Sequence, residues 1–449
     1  MAMKLGEVKS RIAEKLTKAS DAISQSGQVD LVAYSSQECF SELSEDWNKL
    51  VELSHAPFCV TREWVSLWWK CFGENRNRLL NVVVIKDEGK VIAIAPFYIG
   101  FSNIGKGFAI TRLQIIGSGG SKNEQWGYPN DYGISDFLDI IVHPDHHDVA
   151  SNKLANLIEK YVEFIDEMKF LQLRDDSFVK KELHPKIENK DLDEHLEVID
   201  ECSYVDLKGI DSIKDYIKKN NSSSARRRLR QTLRAINDDE EFEIKEAKTE
   251  SEIQNAKDRL IELHQDRWNE IGYPGVFHDN RFREFFDGLL EACIENDWLY
   301  FKETIDADGV SSSRMLVHFD GKYYDYLSGF DPESPSSKYR PGYGLLLDVI
   351  EEAITNNTRY VELLRGQEGY KHDFTDKKQN NWVLTIKGNQ KKNLISSSVH
   401  KGIKIAASLY SIIAKESILL TVQYETVGVL KAFPKYFSFR WDTVKQKLG

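Results

Sequence analysis

Hydrophobic and polar positions follow the helical and the strand period in turn, and this alternation predicts a mixed α/β protein. The first part opens with a short strand at residues 31–34 and continues with two helices, the second an aromatic one at 61–72. A hairpin follows, with strands at 80–85 and 91–98 joined by an Asp-Glu-Gly turn. The remaining elements of this part are predicted as a strand, a helix and a strand, at 137–142, 150–168 and 170–173.

The same order of elements recurs in the second part of the chain. Three strands, a helix and a final strand are predicted at 298–303, 313–319, 322–328, 343–356 and 360–364. In both parts the helix follows a loop with adjacent Pro and Asp, and the final strand ends in an arginine. The spacing is 30 positions from Pro144 to Arg174 and 33 from Pro332 to Arg365, a difference that one loop insertion explains. The pattern predicts an internal duplication.

The chain divides into four predicted segments. Residues 1–28 are a polar lead with the composition of a short helix, interpreted as an appendage. Residues 29–195 and 196–390 are the two α/β domains, and the charged stretch 180–194 is the predicted linker. Residues 391–449 are predicted as a helical tail, because apolar positions recur there at helical intervals among basic residues.

Charge is distributed unevenly along the chain. The 71 acidic and 60 basic residues give a net charge of −11, which is unfavourable for generic nucleic-acid binding. From residue 388 to the end, however, ten Lys and Arg stand against three Asp and Glu. The simpler interpretation of this tail is a helix that packs on the two predicted domains. The alternative is a basic amphipathic helix on an anionic membrane surface or a protein partner.

Cysteine and targeting patterns bear on the compartment. Five cysteines, scattered and odd in number, form neither a disulfide framework nor a zinc ribbon. The lead has no apolar segment typical of a signal peptide, and no uncharged run reaches a membrane-spanning length. We expect a cytoplasmic protein, with the tail able to bring it to the inner membrane surface. The histidine loop at 143–149 has no second ligand cluster, so a solvated loop is favoured over a metal site.

Candidate chemistry centres on the second predicted domain. A strand runs through a loop into Arg340-Pro-Gly-Tyr-Gly344, at the start of an apolar helix. First-turn N–H groups of a helix bind anions, glycines allow close approach of a ligand, and Arg340 adds a cation. The motif alone is also typical of an ordinary helix start. Together with the cation it predicts a site for a pyrophosphate.

A second motif follows on the next strand, where residues 361–371 read Val-Glu-Leu-Leu-Arg-Gly-Gln-Glu-Gly-Tyr-Lys. With the Tyr-Arg-Pro-Gly helix start, it resembles the closing half of the GNAT-type acyltransferase domain of the CelD/FemAB-like group. The arginine-rich stretch 222–234 resembles the helix that opens this domain, and the pattern of Trp47, Trp64 and Trp68 resembles the domain that precedes it. The resemblance covers about residues 30–390.

The resemblance implies an enzyme, an N-acyltransferase with two tandem GNAT-like domains, each a mixed, mostly antiparallel sheet flanked by helices. An acyl-CoA, with an acetyl or longer acyl group, would be the donor. The acceptor would be an amine, such as an amino sugar or an envelope or exopolysaccharide precursor, and no metal is implied. In the Fem branch aminoacyl-tRNA is the donor, and this alternative stays open. The first domain has neither glycine nor arginine at its helix start, so we expect only the second to bind the donor.

Roles for individual residues remain hypotheses at this stage. Three residues are predicted to be catalytic. Glu368 is the predicted base, Tyr370 the predicted hydrogen-bond donor to the leaving group, and Lys371 the predicted stabiliser of negative charge. Donor binding is assigned to the helix start, at Tyr339, Arg340, Gly342 and Gly344. Substrate binding is assigned to Arg365, Asp325, Ser328 and Trp126.

Simpler interpretations stand beside these assignments. Residues 365–371 are also typical of a surface turn with an Arg–Glu ion pair and a solvated lysine. The arginines of 226–234, extended by Lys218 and Lys219, form either a charged helix face or a surface that grips RNA or an acidic sugar. A non-catalytic duplicate that serves as a binding or scaffold subunit is the alternative from a different functional class.

Overall fold

The computed structural model describes residues 5–24, 29–74, 77–105, 108–118, 134–219, 222–237, 242–270, 275–366 and 368–388. Thirteen strands form one sheet in these ranges. In chain order they are β1 Val29–Tyr34, β2 Arg78–Asp87, β3 Lys90–Gly105, β4 Phe108–Ile115, β5 Ile141–Val142, β6 Glu167–Arg174, β7 Glu194–Asp206, β8 Glu243–Glu246, β9 Leu299–Asp306, β10 Gly309–Phe319, β11 Lys322–Phe330, β12 Tyr360–Arg365 and β13 Lys378–Lys387.

Twelve α-helices accompany the sheet in the described residues. They are α1 Leu5–Ser24, α2 Cys39–Glu42, α3 Ser44–Ser54, α4 Arg62–Trp68, α5 His147–Tyr161, α6 His184–Glu188, α7 Ile213–Lys219, α8 Ser223–Asn237, α9 Glu250–Glu270, α10 Asn280–Glu295, α11 Pro341–Thr355 and α12 Lys371–Phe374. Within the part of the chain described here, no helix combines the length and the apolar composition that crossing a membrane requires.

The strand order reveals the duplication. In the first half, β1 to β4 form an antiparallel meander and β4 then pairs in parallel with β6; in the second half, β8 to β11 and β12 repeat this pattern. We call the part of the chain before β7 the first half and the part from α7 to α12 the second half. The expected mixed α/β fold with two repeated units is confirmed.

The last strand of each repeat is exchanged between the halves. β7 follows β6 in sequence but pairs with β12, whereas β13 follows β12 but pairs with β6. β7 and β13 also pair with each other, antiparallel, and so join the two halves into a continuous sheet. The predicted boundary between residues 195 and 196 falls inside β7, which begins at Glu194. The division into domains at that position stays a prediction.

Aromatic side chains of the first half fill the contact face between the halves. The Phe58 ring lies 5.9 Å from the Trp298 ring and 6.0 Å from the Tyr324 ring. Trp64 on α4 lies 5.0 Å from Phe285 and 5.6 Å from Tyr326, centroid to centroid. Phe58, Trp64, Phe285 and Tyr324 are buried, and the partly buried Trp298 and Tyr326 pack against them, so the core continues from one half into the other.

Two predicted elements differ from the structure. The strand predicted at 137–142 is regular only at Ile141–Val142, and the helix predicted at 150–168 ends at Tyr161. The helix ends early because the chain turns to form β6, where the Asp166 carboxylate accepts hydrogen bonds from the Thr111 N–H and hydroxyl, both at 2.8 Å. Tertiary contacts of this kind are invisible to a periodicity argument.

Two polar segments prove to be packed structure. α1 lies in the predicted appendage, yet four of its apolar side chains are buried, Ile12, Leu16, Ala19 and Ile23. The predicted linker 180–194 forms a π-helical turn at Val179–Leu183 and then α6. Leu183 and Ile187 are buried there, so the charged residues of this stretch are the exposed face of an ordered element.

Asp139 organises the start of this element. Its carboxylate accepts backbone hydrogen bonds from Phe178 at 2.7 Å and Val179 at 3.1 Å, on the far side of β6 in sequence. Burial disfavours the charged form more than these bonds favour it, and it raises the pKa of Asp139 from 3.8 to about 7.

We expect this carboxylate to make the protein less stable as pH rises from about 4 to about 7, because the folded state binds a proton there that the unfolded state has lost. Asp139→Asn cannot ionise, so the variant should gain stability relative to the wild type over that window. Urea unfolding of both proteins at pH 5 and pH 8 measures the difference. Equal pH dependence in the two proteins would contradict the assignment.

Candidate active site

Strands β11 and β12 part after a short paired stretch. These parallel strands pair only at their beginnings, where Lys322–Tyr324 lie opposite Tyr360–Glu362. At the end of β12, Leu364 takes a left-handed φ of 58° and Gly366 a φ of 117°. Such backbone is costly for leucine and persists only where the surroundings impose it. Pairing of β12 with β11 has already ended at Glu362, just before this strained end, so the second half's sheet has a gap there.

A segment of the first half brings a carboxylate to this gap. Residues 134–140 are almost entirely buried, and among them Asp136 Oδ1 lies 3.2 Å from Arg365 Nε at the end of β12. Neither Asp136 Oδ1 nor Arg365 Nη1 makes a directed hydrogen bond to any described residue, although both atoms are buried. Buried polar atoms are normally satisfied. This pair therefore retains hydrogen-bonding capacity for a third group.

The electrostatics of Asp136 suit proton transfer. Burial raises its pKa, while the positive charges of Arg365 and Lys371 act in the opposite direction without cancelling the effect. Burial and, to a smaller extent, the negative charge of Asp136 raise the pKa of Tyr326, which lies on β11 beyond the point where it parts from β12. Cys59 contacts the same segment, but burial raises the pKa of its thiol, which makes it a poor nucleophile.

The corresponding gap in the first half is closed by its own chain. β4 and β6 pair only at Arg112–Leu113 and Glu167–Met168. Beyond that point the Leu138 N–H donates to the Gln172 carbonyl at 2.9 Å, beside β6. The segment that closes the first gap is the same one that delivers Asp136 to the second.

The predicted catalytic Lys371 is committed elsewhere. Its buried ammonium donates to the carbonyls of Leu364 at 3.2 Å and Arg365 at 2.7 Å, and it pairs with Glu368 Oε2 at 2.9 Å. An ammonium has three N–H donors, so all three are used. The structure thus gives Lys371 the task of holding the end of β12, because no donor is left for a developing oxyanion.

Glu368 occupies the turn that follows. Its side chain is 55% exposed and paired with Lys371. A Cβ at position 366 would collide with this carboxylate, so Gly366 is what lets Glu368 reach the lysine.

Tyr370 and Asp325 belong to one buried cluster. The Tyr370 hydroxyl donates to Asp325 Oδ2 at 3.3 Å, and Arg314 forms an ion pair with the same carboxylate. Asp325 is only 4% exposed, so the predicted direct contact with substrate would require this pair to open. Burial also raises the pKa of Tyr370. Ser328 is half-buried, opposite Arg314 in the register of β10 and β11.

The start of α11 carries the predicted donor-binding residues. Arg340 takes a left-handed φ of 61° just before the helix, and its Nη1 lies 3.4 Å from Gln231 Oε1 on α8. The Tyr339 carbonyl accepts a bond from Thr232 at 2.8 Å. The N–H groups of Tyr343 and Gly344 fold back onto the Arg340 carbonyl, so part of the predicted anion-binding capacity is used internally.

The two glycines of this start have different surroundings. A Cβ on Gly344 would lie 2.8 Å from Phe242 Cε2, so close helix packing requires glycine there. A Cβ on Gly342 would meet only Ser312 Oγ, at an ordinary 3.4 Å. Of the two, Gly342 is the one where lack of a side chain leaves room for a ligand. The donor-binding role of all four residues stays a prediction.

The arginine-rich helix α8 lies beside this start. Its buried face packs on α11, while Arg227, Arg230 and Arg234 are exposed at i, i+3 and i+7. These three have no acidic partner among the described residues. Arg228, in contrast, pairs with Asp373, whose Oδ2 also accepts from the Tyr343 hydroxyl at 2.8 Å.

Sequence reasoning missed Asp136 and Arg314. The available signal was a lone acidic or basic side chain within a run that is otherwise uncharged, at 134–138 and 311–317. Trp126 and the tail at 391–449 lie outside the described residues. Among those that are described, the one group with metal-ligand geometry is His184, Glu188 and Glu194, in which His184 Nε2 already lies 2.8 Å from Glu194.

Part of the second half is similar to a known protein family. Residues 223–372 match the family model described as Acetyltransferase (GNAT) domain. The structure entitled "Crystal structure of FemX" is similar at a TM-score of 0.52 and 8% identity, over 78% of this chain and 98% of that one. A search of curated protein sequences finds no match.

Two further solved structures are similar at lower scores. The C-terminal domain of a putative lysylphosphatidylglycerol synthetase from Agrobacterium fabrum has a TM-score of 0.44 and 11% identity, over 80% of this chain and 96% of that one. A tandem GNAT protein of clavulanic acid biosynthesis has a TM-score of 0.41 and 11% identity, over 80% and 99%.

The family match and the likeness to FemX confirm the resemblance drawn from the motifs. Residues 223–372 match the GNAT acetyltransferase domain model, and the chain has a fold similar to that of FemX.

Proposed function

We propose that this protein transfers an acyl group to an amine in the cleft between β11 and β12. The observation that carries the proposal is the buried Asp136–Arg365 pair, which comes from both halves and keeps unused hydrogen-bonding capacity where the strands part. Acyl-CoA is the donor that we favour. Its phosphates would lie at the start of α11 near Arg340 and Gly342, and its acyl end would extend toward Asp136.

The proposed step needs one proton acceptor. The amine nitrogen attacks the thioester carbonyl, the new C–N bond forms, and the C–S bond breaks as the CoA thiolate leaves and gains a proton. Asp136 is proposed to take the proton from the amine, directly or through one water, because its raised pKa brings it closer to the operating pH. Glu368, the base predicted from sequence, is the alternative.

The neighbouring residues are proposed to position rather than react. Lys371 fixes the carbonyls that end β12, and Arg365 is placed to bind an acceptor carboxylate or phosphate with its unused Nη1. An amino sugar carries an amine, and a phosphorylated precursor of envelope or exopolysaccharide would also carry an anionic group. This acceptor class rests on the family resemblance, and a cytoplasmic site of action rests on the scattered, unpaired cysteines.

A second donor deserves testing because of α8. Three exposed arginines, which have no acidic partner in the part of the chain that the structure describes, form one stripe next to the start of α11, in a chain whose net charge is −11. A stripe of this kind suits a longer array of phosphates than CoA offers. Aminoacyl-tRNA as donor is therefore the second candidate, and a protein that binds neither donor would favour the scaffold alternative.

The two glycines of α11 offer a matched test of the donor site. Gly342→Ala should leave stability unchanged or raise it by up to about 1 kcal/mol, because alanine is the better helix former. It should weaken acetyl-CoA binding at least tenfold, about 1.4 kcal/mol. Gly344→Ala should instead lower stability by about 1–3 kcal/mol through the collision with Phe242. Calorimetry and urea unfolding separate the effects; unchanged affinity in Gly342→Ala would contradict the placement of the donor.

Removal of the proposed base should mainly slow turnover. We expect Asp136→Asn to lower kcat about 100-fold, the low end of the range for general-base catalysis, with acetyl-CoA affinity within a few-fold of wild type. Thiol release from acetyl-CoA in the presence of a panel of amino sugars measures turnover. Asp139→Asn, in the same segment, is the control for folding. A larger loss in Glu368→Gln than in Asp136→Asn would assign the base to Glu368.

The salt dependence of binding distinguishes the two donors. For a tRNA donor, replacement of Arg227, Arg230 and Arg234 by Gln should reduce the slope of log K against log salt concentration by about 2–3. Filter binding of charged tRNA between 50 and 300 mM salt measures this slope, and the matched acidic-face triple Glu250→Gln, Glu262→Gln, Asp266→Asn on α9 is the control. Salt-insensitive or undetectable tRNA binding by the wild type would remove this candidate.

A further inference from the structure

A layer of buried polar side chains lies between α11 and the sheet. It consists of neighbouring positions on β9, β10 and β11, namely Lys302, Ser312, Arg314 and Asp325. Two of them are cations, and in the register of β9 and β10 they stand opposite each other. Buried cations need specific partners, because desolvation of a charge is costly.

The two cations have different partners along α11. Lys302 Nζ lies 2.6 Å from Asp348 Oδ2 and 2.6 Å from Glu352 Oε2, in the middle and later turns of the helix. Arg314 pairs with Asp325, and its Nη2 also donates to the Gly342 carbonyl in the first turn, at 3.4 Å. Lys302 therefore fastens the body of the helix, whereas Arg314 contacts the turn at its start.

Arg314 also connects to the turn beyond β12. Asp325 accepts from the Tyr370 hydroxyl, and the Arg314 guanidinium lies 5.9 Å from the centre of the Tyr370 ring. One planar guanidinium holds several donors at fixed angles and can serve two elements at once, in a geometry that a lysine ammonium does not reproduce. The Nε of Arg314 is buried without any partner in the described residues. A buried ion pair with such an unpaired atom is a poor source of stability.

We infer that Arg314 is a positioning residue that joins the first turn of α11 to the turn bearing Tyr370, and so fixes the two sides of the donor cleft relative to each other. It acts through the Gly342 carbonyl on one side and through Asp325 and Tyr370 on the other. This inference deepens the proposed function and rests on it for its effect on the donor. The mechanical link between the two turns is independent of which donor binds.

Donor affinity tests the functional part. Arg314→Lys keeps the positive charge beside Asp325, so it should unfold at a urea concentration close to that of wild type. Because it loses the planar set of guanidinium donors, it should bind acetyl-CoA at least tenfold more weakly. Lys302→Met is the matched control, since it removes the other buried cation under the same helix. It should lower the unfolding midpoint while leaving acetyl-CoA affinity within about twofold. The inference would be overturned by equal loss of affinity in both variants, or by none in Arg314→Lys.

Hydrogen exchange tests the mechanical part without any ligand. In Arg314→Lys, amides of the first turn of α11 and of residues 368–374 should exchange at least threefold faster together, while those of β9 and β10 stay as in the wild type. Faster exchange in only one of the two turns, or in neither, would refute the link. If the wild type binds no CoA ester, the proposed donor fails, yet this exchange measurement still decides the role of Arg314.

Discussion

The parting of β11 and β12 after three residue pairs is the constraint on which the rest of this structure depends. A sheet that opens in its middle exposes backbone and core, so each gap needs a filling. In the first half the filling is the chain itself, at residues 134–140. In the second half the gap instead receives Asp136 from that same segment, beside Arg365. The two copies of the fold thus differ at this point. The gap in the first half is closed by residues 134–140, and the same residues carry Asp136 into the open gap of the second half.

The exchange of β7 and β13 makes this arrangement rigid. Each half depends on the other for a strand, and the aromatic contacts of Phe58 and Trp64 cross between them. Around the cleft, buried ions replace apolar packing at Asp136–Arg365 and Arg314–Asp325. Such pairs rarely add net stability, because desolvation offsets the attraction. Their position on both walls of one cleft indicates that they serve geometry and chemistry.

Sequence patterns predicted most of the fold but only part of the site. Local periodicity located β11, α11 and β12 within a few residues, because amphipathic repeats and turn residues are encoded locally. The strand exchange and the packing of α1 depend on contacts between distant segments, which periodicity does not contain. In the site, the motif at 365–371 was found, yet the commitment of Lys371 to two carbonyls was not. Asp136 was missed because it lies 229 positions from Arg365 in the chain and belongs to no motif.

The central claim is that the donor enters between β11 and β12 and meets a carboxylate from the other half. A crystal structure of the protein with bound acetyl-CoA tests it most directly. We expect the pantetheine arm to run between these strands, with the phosphates beside Gly342. The thioester carbonyl carbon should lie close enough to Asp136 for a single water molecule to bridge them. A CoA molecule bound outside this gap, or one whose thioester faces away from Asp136, would contradict the account.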